Sequence, residues 1–280
     1  MLSINLKKHI IFFGTCTTLM VFSACQKDSQ SPLTEPPSIP PQATMLMDFS
    51  NFADEENVST FAGSVEGLQE NQSKGNWAWA ASNVVVWSAI TKITLAVPVA
   101  AFIASFQNDP QYTDDGRWLW TNSFNVMMFS YTSNLYAKIR SNKIEWEMYI
   151  SETNGFSNFL WYTGESDLEA QQGKWLFNQN PKVPNPFIEA IWHRDGDQIT
   201  DIKYKNVVPE AAANGSYIYF ALTGNETYDM SFDLYDKVQD HHILVEWNRM
   251  NRFGRVKDAL HFEDEEWHCW DENRDDIDCP

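Results

Sequence analysis

Carboxylates, imidazoles and indoles are the groups in this chain that could do chemistry, and their spacing decides which chemistry. Glu145 and Glu147 stand two residues apart, so on a strand they share one face, as the acid and base of a glycosidase would. In a chain of net charge −18 the competing reading is a solvated acidic face, and it is the one adopted. His241, His242, His261 and His268 lie near Asp240, Glu263, Asp264, Glu265 and Glu266. That set would ligate a divalent cation only if the fold gathered it, and its spacing matches no standard zinc motif. Asp271, Asn273 and Asp275 take the first three ligand positions of a calcium loop, but Asp276 stands where the loop needs glycine and no bidentate acid follows. There is no Gly-x-Ser-x-Gly, no His-Glu-x-x-His and no cysteine placed as a nucleophile. Residues 164–174 lack the spacing and the final Ser or Thr of a phosphate loop. The sequence therefore nominates no catalytic residue, no metal ligand and no cofactor.

The twelve tryptophans are the most distinctive feature. An indole stacks on a sugar ring or lines an apolar cavity, and it fills a core equally well. Most are expected in the core. Trp118, Trp120, Trp146 and Trp161 are the candidate contacts for a small apolar or glycan ligand.

Positioning those groups is the task of an exported chain. Lys7 and Lys8 precede a mostly apolar run at 10–22, too short to span a membrane comfortably, and small residues follow at Ser23 and Ala24. Phe22-Ser23-Ala24-Cys25 resembles a bacterial lipobox. The resemblance implies cleavage before Cys25 and acylation of its thiol, and two or three acyl chains hold a protein stably on a bilayer without spanning it. The expected partner is thus a membrane, reached through N-terminal acyl chains. Gln26 at the next position implies the outer membrane, and Gln26-Lys27-Asp28 is similar to the charged export tags of Bacteroidota surface lipoproteins, though with a single acid. Cell-surface and periplasmic orientations both stay open. Five prolines between 26 and 42 make 25–44 a semi-rigid tether, leaving 45–280 as a single domain.

Once Lys7 and Lys8 leave with the signal, the charge becomes −20. Such a domain is repelled by nucleic acid and by anionic head groups, which excludes DNA, RNA and a basic membrane-docking face. Cys16 leaves with the signal and Cys25 is taken by lipid, so Cys269 and Cys279 remain. In an oxidising compartment they are expected to pair, closing a short loop for about 3 kcal/mol. Free thiols or half a metal site are the alternatives.

Residues 45–72 are weakly patterned and read as an irregular arm that adds one strand. Residues 77–106 carry one charge, Lys92, and read as a buried helix kinked or restarted at Pro98; a membrane span is the competing reading. From 114 onward the period becomes two: Ile144, Trp146, Met148 and Ile150 alternate with Glu145, Glu147, Tyr149 and Ser151. Turn pairs such as Asp115-Gly116, Asn154-Gly155, Asp195-Gly196 and Asn214-Gly215 divide the rest into about ten strands, the first at 117–131 and the last at 243–248. The expected fold is mainly β: an antiparallel up-and-down barrel or strongly curved meander, with one buried N-terminal helix or helical hairpin. A β-sandwich is the alternative.

Asp115-Gly116-Arg117-Trp118-Leu119-Trp120, Asn158-Phe159-Leu160-Trp161-Tyr162-Thr163-Gly164, Val245-Glu246-Trp247-Asn248 and Trp267-His268-Cys269-Trp270-Asp271 resemble a group of Bacteroidota lipoproteins. The resemblance spans most of the chain beyond the tether and implies envelope localisation; it brings no activity with it. Three function classes follow, in order: a binding module for a small apolar or glycan ligand, a structural or protein-interaction component of the outer membrane, and a glycan-acting enzyme.

Overall fold

A computed structural model describes residues 35–46, 52 and 75–280. The signal at 1–24, Cys25, the first half of the tether to residue 34 and most of the 45–72 arm lie outside the described residues.

One antiparallel sheet of fourteen strands follows chain order without a crossover. Its strands are β1 (Gln111–Tyr112), β2 (Trp118–Val126), β3 (Phe129–Ile139), β4 (Ile144–Glu152), β5 (Phe159–Ser166), β6 (Gln172–Asn180) and β7 (Val183–Asp195). They continue as β8 (Gln198–Asn206), β9 (Tyr217–Leu222), β10 (Met230–Asp236), β11 (His241–Trp247), β12 (Gly254–Lys257), β13 (His268–Trp270) and β14 (Asp276–Ile277). The alternation sets which face is buried. On β4 it is Ile144, Trp146, Met148 and Ile150, and on β10 it is Met230, Phe232 and Leu234.

Of the expected architectures the curved meander is the one observed; among the described residues the barrel does not close and there is no second sheet to make a sandwich. β1 and β14 have two residues each, too few for a ladder that would seal a barrel. Helices take the place of a closing ladder. Helix α1 (Gly75–Thr94) packs on β12, β13 and β14, and helix α2 (Ala96–Ala104) packs on β2 and β3.

The two helices meet at Leu95 with a bend of 64°. Pro98 causes the break from inside α2: it has no N–H to give the carbonyl of Thr94, and its ring crowds that carbonyl. In the first turn of the new helix the missing donor costs nothing, so the restart falls three residues before the proline expected to mark it. Among the described residues no single helix is long and apolar enough to cross a membrane, although the bent pair together meets that test by length and composition. Trp77, Ala80, Ala81, Val84, Val85 and Ser88 form the buried face of α1. Asp276 caps its start, accepting from the backbone N–H groups of Gly75 and Asn76 at 3.0 and 2.9 Å.

The concave side of the sheet is filled. Met45 and Thr44, the latter at the end of the segment read as tether, are fully buried: Trp175 Nε1 donates to Thr44 Oγ1 at 3.2 Å and the Tyr204 hydroxyl donates to the Met45 carbonyl at 3.2 Å. Phe52 stands edge-on to Trp247 at 4.8 Å and to Phe232 at 6.0 Å. Three glycines admit large indoles on the neighbouring strand: Gly164 is the register partner of Trp175, Gly173 of Trp192 and Gly254 of Trp270. Cys269 and Cys279 form the expected disulfide, which ties β13 to the segment after β14.

Candidate functional site

Helix geometry starts the site. Trp79, Asn83 and Trp87 are spaced four apart, so they lie on one face of α1, flanking its packed side, with both indoles partly buried. This face looks across to the ends of β8 to β11 and to helix α3 (Ala259–Phe262), and the gap between them is a cleft of about 660 Å³. Trp79 and Trp87 form one wall, and Leu234, Ile243 and Leu260 add apolar surface opposite. Asn83, Asn206, Ser216, Asp236 and Gln239 add hydrogen-bonding groups to the lining.

A single carboxylate fixes the geometry at the inner end. Asp258 is 2% exposed and collects four donors. Trp79 Nε1 donates to Oδ2 at 2.9 Å; the N–H groups of Leu260 and His261 donate to Oδ1 at 3.0 Å each. His241 Nε2 lies 2.8 Å from Oδ1 and must carry its proton to face a carboxylate. The same residue thus caps α3, orients His241 and holds the indole of Trp79 in place. His261 then stacks on Trp79 at 3.7 Å with only 5° between the rings.

His261 is exposed overall, but the partial desolvation of its ring, stacked on Trp79, pushes the imidazole below its ordinary value of 6.5, and the Asp258 charge opposes this more weakly. Its proton affinity is therefore lower folded than unfolded. Stability from the neutral ring is fully present above pH 6.5 and is lost as pH falls through the folded value, because the unfolded chain takes up the proton first. Thermal midpoints measured from about pH 7.5 to about pH 5 should fall more steeply for the wild type than for His261→Gln. Equal slopes would remove His261 as the source.

Of the tryptophans nominated from sequence, Trp120, Trp146 and Trp161 are buried in the core, and Trp118 is half-buried against it. Trp120 and Trp146 are 6.0 Å apart, and Trp146 is spent on an Nε1 bond to Ser166 Oγ at 3.1 Å. None of the four lines the cleft, which uses Trp79 and Trp87 instead. No family model, curated protein or solved structure matches this chain. The site has to be read from its own geometry.

The other sequence candidates are held apart by that geometry. Glu145 pairs with Arg140 at 2.9 Å, which holds its carboxyl below the usual range, and Glu147 pairs with Arg117 at 3.1 Å. His242 meets Asp233 at 2.7 Å and His268 meets Asp264 at 3.1 Å, each a separate pair. Among the described residues no group of three such side chains is placed to hold a metal. Asp271 serves the β13–β14 turn, accepting from the N–H groups of Asn273 and Asp275 at 2.8 and 3.0 Å.

Proposed function

We propose that this chain is an outer-membrane lipoprotein, acylated at Cys25, whose β domain binds a small amphiphile in the cleft between α1 and β8–β11. The observation that carries the binding reading is the cleft itself. Trp79 and Trp87 on a rigid helix share the lining with Leu234, Ile243 and Leu260 and with the polar Asn206 and Gln239, so an apolar body has a wall to lie on and a head group has partners. A glycan would need open indole faces to stack on, and one face of the Trp79 indole is already taken by His261 at 3.7 Å. The lipobox pattern at Phe22-Ser23-Ala24-Cys25 supports the address.

N-phenyl-1-naphthylamine, a neutral fluorophore, is the probe. It should brighten on binding and be displaced by oleate, and Trp87→Ala should weaken both at least about tenfold through loss of one aromatic wall. Displacement by neutral oligosaccharides and not by oleate would replace the amphiphile with a sugar; no dye binding would remove the site. The intact mass of protein taken from membranes tests the address, which fails if Cys25 is unmodified and the leader is retained.

A further inference from the structure

The strands beneath the cleft sort their side chains by row. On the concave face of β8 to β11, Tyr204, Ile218, Leu234 and Ile243 stand in register and make an apolar row. Two residues nearer the strand ends, the same face carries Asn206, Ser216, Asp236 and His241. These pair as well: the Asn206 N–H donates to the Ser216 carbonyl at 2.8 Å, and Asp236 is the register partner of His241. Leu234, Ile243 and the whole end row line the cleft, so an occupant lying along the strands meets carbon over its length and polar atoms at one end.

The charge at that end is of one sign. Among the described residues no lysine or arginine lines the cleft, and the carboxylates in its lining are Asp236 and Asp258. Asp258 is answered by four donors. Asp236 is half-buried and uses only Oδ1, which accepts from the Val238 N–H at 2.8 Å; its Oδ2 has no partner among the described residues. Lys237, next along the chain, stands outside the lining beside the Tyr235 hydroxyl. That hydroxyl donates to Asp240 at 2.7 Å, which sets a carboxylate by the lysine already. On α1 the one charge is Lys92, exposed and also outside the lining.

We infer that the amphiphile taken by this cleft carries a cationic head group of the alkylammonium class, with Asp236 as its counter-ion. A half-buried carboxylate with a spare oxygen gains most from a cation, whereas a carboxylate or phosphate head group would be held against a like charge. Trp87 adds a second attraction. It shares the lining and has no ring stacked on it among the described residues, so its face is open to an onium group, while Trp79 gives one face to His261. The net charge of −18 draws cations toward the molecule from further off. The head-group assignment rests on the cleft holding an amphiphile, and the two fail separately.

Displacement of bound N-phenyl-1-naphthylamine from the full-length protein tests it, with dodecyltrimethylammonium and dodecanoate as competitors of equal chain length, each below its micelle concentration. The cation should displace the dye at a concentration at least about tenfold lower than the anion. Asp236→Asn keeps an oxygen to accept from Val238, so the turn should fold and the neutral dye should bind within about twofold of the wild type. In that variant the cation should lose at least about tenfold and the preference should vanish. Asp197→Asn removes the same charge from a fully exposed position on the β7–β8 turn and should leave the preference intact. Equal displacement by the two competitors, a preference that survives in Asp236→Asn, or an equal loss in Asp197→Asn would each overturn the cationic head group while the cleft still binds dye. Absence of dye binding would remove the cleft as a site and the head group with it.

Discussion

Gly164→Ala should lower the stability of the domain by about 3 kcal/mol or more, the upper range of overpacking. The single added carbon would fall inside the indole of Trp175, the cross-strand partner of Gly164, with the Lys174 carbonyl also close. Trp175 has no room to retreat. It is fully buried, its Nε1 bonds Thr44, and its ring meets Phe102 and Tyr162, both at 5.5 Å. A glycine under an indole on the adjacent strand lets a sheet of this curvature carry its largest side chains on the inner face. Urea denaturation measures the cost through the midpoint at constant slope. Gly164→Ala with Trp175→Leu should recover part of the loss, because the smaller side chain frees the space. A single variant that unfolds like the wild type would show that the indole shifts freely, and would undo this account of the core. Gly196→Ala is the comparison: its β-carbon meets nothing within 4 Å, so only the positive φ of 56° is charged, about 1 kcal/mol.

Much of this architecture was legible because period-two patterning and turn dipeptides are local signals. β4 to β11 fall close to the segments that Asn154-Gly155, Asp195-Gly196 and Asn214-Gly215 delimit. The failures have physical causes. Residues 117–131 read as one strand because Met127-Met128 has no turn chemistry, yet Val126 pairs with Phe129 across a two-residue hairpin. Alternation misplaced one residue on β5, where a bulge at Trp161 leaves both Trp161 and Tyr162 buried. β1, β12, β13 and β14 are too short to show a period, and the last two are held by a disulfide and by the cap on α1, which are long-range contacts. The cleft was missed for a similar reason. Segment 77–106 is so uniformly apolar that it hid the spacing of Trp79, Asn83 and Trp87, and only the packing of α1 on β12–β14 shows which face is left outward. The strand tryptophans stand out in the sequence by their alternation, and that regular inward placement is what makes them core.

Asp258→Ala should cost about 3 kcal/mol, because the carboxylate is buried and its donors would be left without an acceptor. Three separate elements lose their partner at once: Trp79 on α1, His241 on β11 and the first turn of α3. Asp258→Ser separates the local role from the long-range one. A serine hydroxyl still caps the helix, which returns about 1 kcal/mol, but it is too short to hold Trp79 Nε1 and His241 together. If Asp258 were only a cap, the serine variant would bind N-phenyl-1-naphthylamine as tightly as the wild type. The cleft geometry demands the contrary: with the indole of Trp79 released and its stack on His261 loosened, dye affinity should fall at least about tenfold even where the serine variant is fully folded. Stability and affinity then separate in one side chain, since the cap acts along α3 while the second oxygen acts across the cleft.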